Sequence, residues 1–182
     1  MGMAASIPYY TVEDLDRFPN DGNRYELLDG VLLVTPAPGF AHQLIASRIA
    51  TILSIAVQVP GHGFVLGPGV VCFPPRTQLE PDVLVVPPWI PPSGKWEDIK
   101  EHWLAVEVIS RSSRIYDREF KRNEYLRRGV PEVWLVDKED RSVEVARVPG
   151  ESTTVRDAVI WRVPRLDLEV RVDLSEVFAG ME

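Results

Sequence analysis

The sequence predicts an α/β fold, a mixed β-sheet with helices on its faces, and three observations lead there. Strand, helix and strand patterns alternate between residues 103 and 137, which is how a chain brings strands side by side through a helical crossover. Asp29-Gly30 separates two apolar runs, the signal of a two-residue hairpin turn. Residues 41–59, AHQLIASRIATILSIAVQV, carry apolar side chains at Leu44, Ile45, Ile49, Ile52, Leu53 and Ala56, the recurrence of an amphipathic helix.

Each element has a local reason. A short helix is expected over 11–18, where Thr11 can cap and Asp14 stands three residues on, before Pro19, Asn20, Asp21 and Gly22 close it. Hairpin strands are expected over 24–28 and 31–35, ended by Pro36 and Pro38. After the long helix, residues 61–73 read as one strand with a Gly-Pro-Gly irregularity, and residues 82–86 as a second strand opening directly after Pro81. The stretch 86–102 is proline-rich and aperiodic, a surface loop. Residues 103–109 read as a strand buried on both faces. Residues 110–129 carry helix-start residues at Ser112 and Ser113 and a stop at Gly129. Two strands turning at 138–141 follow, then one or two more strands towards the end, with DLSEVF as a closing helical turn.

A chain of 182 residues fits one domain, 1–182, with a core over about 10–150 and C-terminal strands over 155–182. The apolar share of 45% and charged share of 26% are those of an ordinary globular chain. The nearly apolar stretch 49–59 is shorter than a membrane span requires, and the N-terminal residues lack a secretory pattern. The expectation is a cytoplasmic protein without a membrane partner. Cys72, the single cysteine, excludes an intrachain disulfide and a thiolate-rich zinc site and reads as a structural thiol. His62 and His102 lack ligand spacing. A net charge of −7 argues against nonspecific coating of nucleic acid, so a polyanion would need a local basic surface.

The chemistry begins with Glu107. Alternation along residues 103–109 places Trp103, Ala105, Glu107 and Ile109 on one face. An ionised carboxylate there without a partner would cost several kcal/mol, so Glu107 must be protonated, ion-paired or metal-bound. An arginine on a neighbouring helix is the plain structural answer. Three features point beyond it: Asp82 at the start of another apolar strand, Glu26 interrupting the first hairpin strand, and Lys121 early in the helix after Glu107. Carboxylates on adjacent strands suit Mg²⁺, which takes oxygen ligands and often only one or two carboxylates. A lysine ammonium beside them can orient water and offset charge at phosphorus.

Asp117, Lys121, Glu124 and Arg128 are spaced to form a polar strip on that helix, with Asp117 as an orienting partner of the lysine or a first-turn acid. Residues 111–128 hold seven cations against three acids, a local balance of +4. Arg111, Arg114, Arg118 and Arg122 are therefore candidate contacts to a nucleic-acid backbone, against the alternative of a solvated arginine-rich helix.

Pro81-Asp82, EVIS at 107–110, DREFK at 117–121, GVPEVWLVD at 129–137, RYELLDGVLLVTPAP and the following AHQ together resemble the Uma2 family of restriction-endonuclease-like proteins, within the PD-(D/E)XK nuclease superfamily. The likeness spans roughly residues 10–150. It implies a restriction-endonuclease-like mixed sheet flanked by helices, in which Asp82 and Glu107 bind Mg²⁺, or Mn²⁺ in its place, with the Val108 carbonyl as a further ligand. Glu26 matches the family's acid in the YEL segment and would complete the site. His42 also resembles the pattern and would lie near the site, contacting phosphate or water, unless it is a helix-end histidine with a structural hydrogen bond. Two residues past Glu107, where the superfamily has lysine, stands Ile109; Lys121 matches the place to which Uma2-like sequences move it.

The expectation is a Mg²⁺-dependent DNA endonuclease, with a homodimer expected only from how nucleases meet two strands. A noncatalytic nucleic-acid-binding or scaffold module on the same fold, and an acid cluster serving the core alone, stay open.

Overall fold

The computed structural model describes residues 9–109 and 116–181. The chain opens with α1 (Val12–Leu15), whose Thr11 backbone N–H donates to Asp14 Oδ2 at 2.9 Å. β1 (Arg24–Leu28) and β2 (Val31–Thr35) form the hairpin where the alternation places it, in the register Glu26 to Leu33. Its turn needs positive φ at both central residues, and Asp29 (49°) and Gly30 (84°) supply it.

Residues 61–73 are not one strand. β3 (Phe64–Leu66) and β4 (Val71–Phe73) join different sheets, and β5 (Thr77–Leu79) pairs between β4 and β1. A four-stranded sheet in the order β2-β1-β5-β4 results. The larger sheet runs β10-β9-β8-β7-β6-β3, built from β6 (Val83–Val86), β7 (Leu104–Ile109), β8 (Val133–Asp137), β9 (Ser142–Val148) and β10 (Glu151–Val155). β7 and β8 are parallel, joined through the helical segment between them, while the other neighbours are antiparallel, so the sheet is mixed as expected. Beyond it, β11 (Ala158–Arg162) and β12 (Glu169–Asp173) make a separate hairpin, followed by the short helix Leu174–Val177. The C-terminal region thus holds one strand more than expected.

Alternation divides the core. Val83 and Val85, Leu104, Val106 and Val108, and Trp134 and Val136 point to one face, where α2 (Phe40–Leu53) seats Ile45, Ile49 and Leu53 beside the β11–β12 hairpin. A π turn, Ser54–Gln58, prolongs α2. Over Phe40–Gln58 this helix is long and apolar enough by length and composition to cross a membrane; Ile45, Ile49, Leu53 and Val57 on it are fully buried against the sheet side of the core. Leu84, Val86, Ala105, Ile109, Val133 and Leu135 point to the opposite face, towards the four-stranded sheet and α3 (Arg122–Arg127). Trp103, expected on the Glu107 face, precedes β7 and packs in the α2 cluster, because the alternation starts only with the strand.

Candidate active site

Glu107 projects from β7 on the α3 face and is 3% exposed. Among the described residues no arginine pairs with it. Its Oε1 accepts the Tyr125 hydroxyl at 2.7 Å and faces Lys121 Nζ at 3.4 Å. Among the described residues Oε2 accepts no hydrogen bond, and Glu107 lines a cleft of about 330 Å³. Burial pushes the Glu107 carboxyl well above its ordinary range; Asp117, Asp82 and Glu26 push the same way, against Lys121.

Lys121 ends a π turn, Tyr116–Lys121, that leads into α3. Its ammonium sits 2.6 Å from Glu26 Oε2, 3.4 Å from Glu107 Oε1 and 3.7 Å from Asp117 Oδ1. Burial favours loss of its proton, but Glu107, Glu26 and Asp117 prevail and raise its pKa. Lys121 therefore stays a cation.

Asp82 stands just before β6, one residue outside the strand expected to contain it. Its Oδ2 accepts the Val108 N–H at 2.8 Å and lies 3.1 Å from His42 Nε2 near the start of α2. Its Oδ1 accepts two bonds at 3.2 Å from Arg24. Burial raises the Asp82 pKa, but His42, Arg24 and the Val108 N–H outweigh it and leave the carboxyl below its usual range. Because β6 begins at Val83, the Val108 N–H finds a side chain instead of a strand neighbour. A strand residue's C=O lies on the same side as its N–H, so the Val108 carbonyl faces the Asp82 side too.

Asp82, Glu107, Val108, Lys121, His42 and Asp117 all line the one cleft. Glu26 does not. It is fully buried, with Oε2 against the Lys121 ammonium and Oε1 accepting the Glu80 N–H at 2.7 Å. Among the described residues no three His, Cys, Asp or Glu side chains are grouped to hold a metal ion. The donors facing the cleft are carboxylate and carbonyl oxygens, which is the set Mg²⁺ takes with water filling the rest. The residues fit that ion.

Of the four arginines expected to contact a nucleic-acid backbone, the two that the structure describes, Arg118 and Arg122, are engaged by acids of the chain itself. Arg111 and Arg114 lie outside the described residues. Arg122 is 7% exposed and lies 3.7 Å from Glu144 on β9, an internal ion pair, and Arg118 bridges Glu144 and Asp137. Neither lines the cleft. The polar strip also departs from expectation: after Asp117 and Lys121 the buried stripe continues through Tyr125, while Glu124 and Arg128 pair at 2.7 Å on the outside. A π turn is wider than an α turn, which carries the stripe onward along the chain. Arg24 and Tyr125 are the site residues that sequence reasoning missed. Their signals were present, since Arg24 shares the Glu26 face of β1 by period two and Tyr125 follows Lys121 by four.

In overall shape the chain is similar to the crystal structure of "a putative nuclease belonging to DUF820" from Anabaena variabilis ATCC 29413, with a TM-score of 0.71 over 92% of this chain and 97% of that one at 17% identity. At that identity the likeness speaks for the fold. No curated protein matches. Residues 12–182 match the Uma2 family, described as "Putative restriction endonuclease", and with that span inside the match the chain belongs to the Uma2 family.

Proposed function

We propose that the chain is a Mg²⁺-dependent nuclease that hydrolyses phosphodiester bonds, with DNA as its substrate. The observation that carries this is the convergence of Asp82, Glu107 and Lys121, distant in sequence, on one cleft. Asp82 and Glu107, with the Val108 carbonyl, would hold the ion, and Mn²⁺ would serve in its place. When bound, it supplies Lewis-acid polarisation of a phosphoryl oxygen and a more acidic attacking water. Tyr125 fixes Oε1 of Glu107 and leaves Oε2 for the cleft. Lys121, held protonated by its carboxylates, donates but cannot accept a proton; it orients water and stabilises charge developing on the phosphate. Glu26 and Asp117 aim that ammonium. His42, whose Nε2 lies 3.1 Å from Asp82 Oδ2, would orient that carboxylate at the edge of the cleft.

The noncatalytic module draws on one observation: both Asp82 oxygens already have partners, Arg24 on Oδ1 and Val108 and His42 on Oδ2. Plasmid and single-stranded DNA incubated with Mg²⁺ or Mn²⁺ distinguish the two. The nuclease cuts, and Asp82→Asn and Lys121→Gln each lower cutting by at least about a thousandfold with circular dichroism unchanged. Binding without cutting under every metal would leave the module.

A further inference from the structure

We propose that the cleft admits an unpaired polynucleotide strand, with the Phe40 and Tyr116 rings stacking on its bases and Lys138 holding a backbone phosphate. This rests on the nucleic-acid reading of the cleft and narrows it to one form of substrate. Phe40, the first residue of α2, is 83% exposed and belongs to neither apolar core, yet lines the cleft with Asp82 and Glu107. Pro36 and Pro38 restrict the backbone that leads to it, and the first turn of α2 carries its Cα at the cleft edge. Tyr116, 49% exposed, lines an adjoining hollow of about 140 Å³ that shares Thr35, Pro36, Asp117 and Lys121 with the main cleft. The Phe120 ring lies against it, centroids 5.9 Å apart, which steadies its face.

A duplex offers base edges and hides base faces in its own stack. Exposed rings gain only from bases that have left the stack, whatever their identity. The cleft's volume of about 330 Å³ is at the small end for an enclosed ligand, suited to one strand. Its charges are consistent with this. Arg24 and Lys121 are engaged by carboxylates, whereas Lys138 lines the cleft and makes no ion pair among the described residues. A lysine ammonium is a compact point charge suited to a phosphate passing it.

Fluorescence anisotropy in EDTA, where cutting is off, tests the inference with labelled oligo-dT, oligo-rU and a mixed-sequence DNA duplex. The wild type is expected to bind the single strands more tightly than the duplex. Phe40→Leu keeps bulk but loses the π face and should weaken single-strand binding about fivefold or more with the duplex unaffected, while Phe40→Trp retains it. Lys138→Gln should reduce the salt slope by about 0.7. Similar losses with dT and rU support base-face recognition common to both sugars, and a loss with one strand only supports it for that sugar. Unchanged single-strand affinity in Phe40→Leu, or equal loss on the duplex, overturns the stacking inference and leaves metal-dependent cutting standing. Conversely, a selective Phe40→Leu loss in a protein that never cuts supports stacking and ends the nuclease reading.

Discussion

The two faces of the six-stranded sheet are covered by helices of opposite character. On one, α2 seats Ile45, Ile49 and Leu53 against valines, leucine and tryptophans. On the other, the segment through α3 presents Asp117, Lys121 and Tyr125, all at most 3% exposed, to Glu107 on the middle of the same sheet. The first face needs no partner chemistry, because burying apolar area is favourable wherever it fits. The second is favourable only while every charge is answered. A fold seeking stability alone would make both faces alike; the difference marks where the fold carries the cost of buried charge.

The largest effect comes from breaking the answered charges. Lys121→Met leaves Glu26 and Glu107 buried without their ammonium, and about 3–5 kcal/mol should be lost at pH 7 in urea unfolding. The loss should shrink towards pH 5. A carboxyl with a raised folded pKa binds more protons folded than unfolded above its unfolded pKa, so stability falls as pH rises through that window. For Glu107 the pKa is already raised, and removing Lys121 removes what opposed the rise. Ile49→Ala, fully buried on the apolar face, should cost about 2–5 kcal/mol with no such pH dependence. Equal pH profiles for the two variants would erase the contrast between the faces.

His102 sharpens the comparison from the other end of the strand. It precedes β7, is 2% exposed, and its Nε2 has no hydrogen-bond partner among the described residues, with the Phe73 ring at 6.1 Å. Burial, aided by Lys100, lowers its pKa from 6.5 to about 4. The unfolded chain therefore binds the extra proton between those values, and stability is full above pH 6.5 and lost as pH falls towards 4, by about 3 kcal/mol in total. His102→Phe should flatten that part of the stability curve. A buried titratable group left unanswered among the described residues is thus a liability at low pH, whereas Glu107 is answered by Lys121 and Tyr125.

Where pattern is local, the sequence shows it. The β1–β2 hairpin was legible because Asp29-Gly30 supplies both positive φ angles and the flanking runs are apolar. β3, β4 and β5 were not, since three residues carry no measurable period and sheet membership depends on distant neighbours. The nearness of Asp82, Glu107 and Lys121 was legible because acids and a lysine in apolar elements must meet something. Arg122 was misplaced because a charged helix residue is exposed by default, and its partner Glu144 lies on a later strand. Tyr125 is not legible in the sequence as a partner of Glu107, because its ring satisfies the core pattern by itself and only the hydroxyl reaches the carboxylate.

That hydroxyl gives the smallest and most discriminating test. Tyr125→Phe keeps the ring in the apolar cluster and removes one bond of 2.7 Å to Glu107 Oε1. Loss of a hydrogen bond to a charged or partly charged group costs about 1–3 kcal/mol, and the low end is expected because Lys121 still faces the same oxygen. If Tyr125 is a positioning residue, its larger effect is on the cleft: freed to rotate, Glu107 should bind Mn²⁺ about tenfold more weakly by calorimetry, while oligo-dT affinity in EDTA stays unchanged. A variant that loses stability yet binds Mn²⁺ as the wild type does would reduce Tyr125 to core packing, and would make the two faces of the sheet differ in charge without differing in purpose.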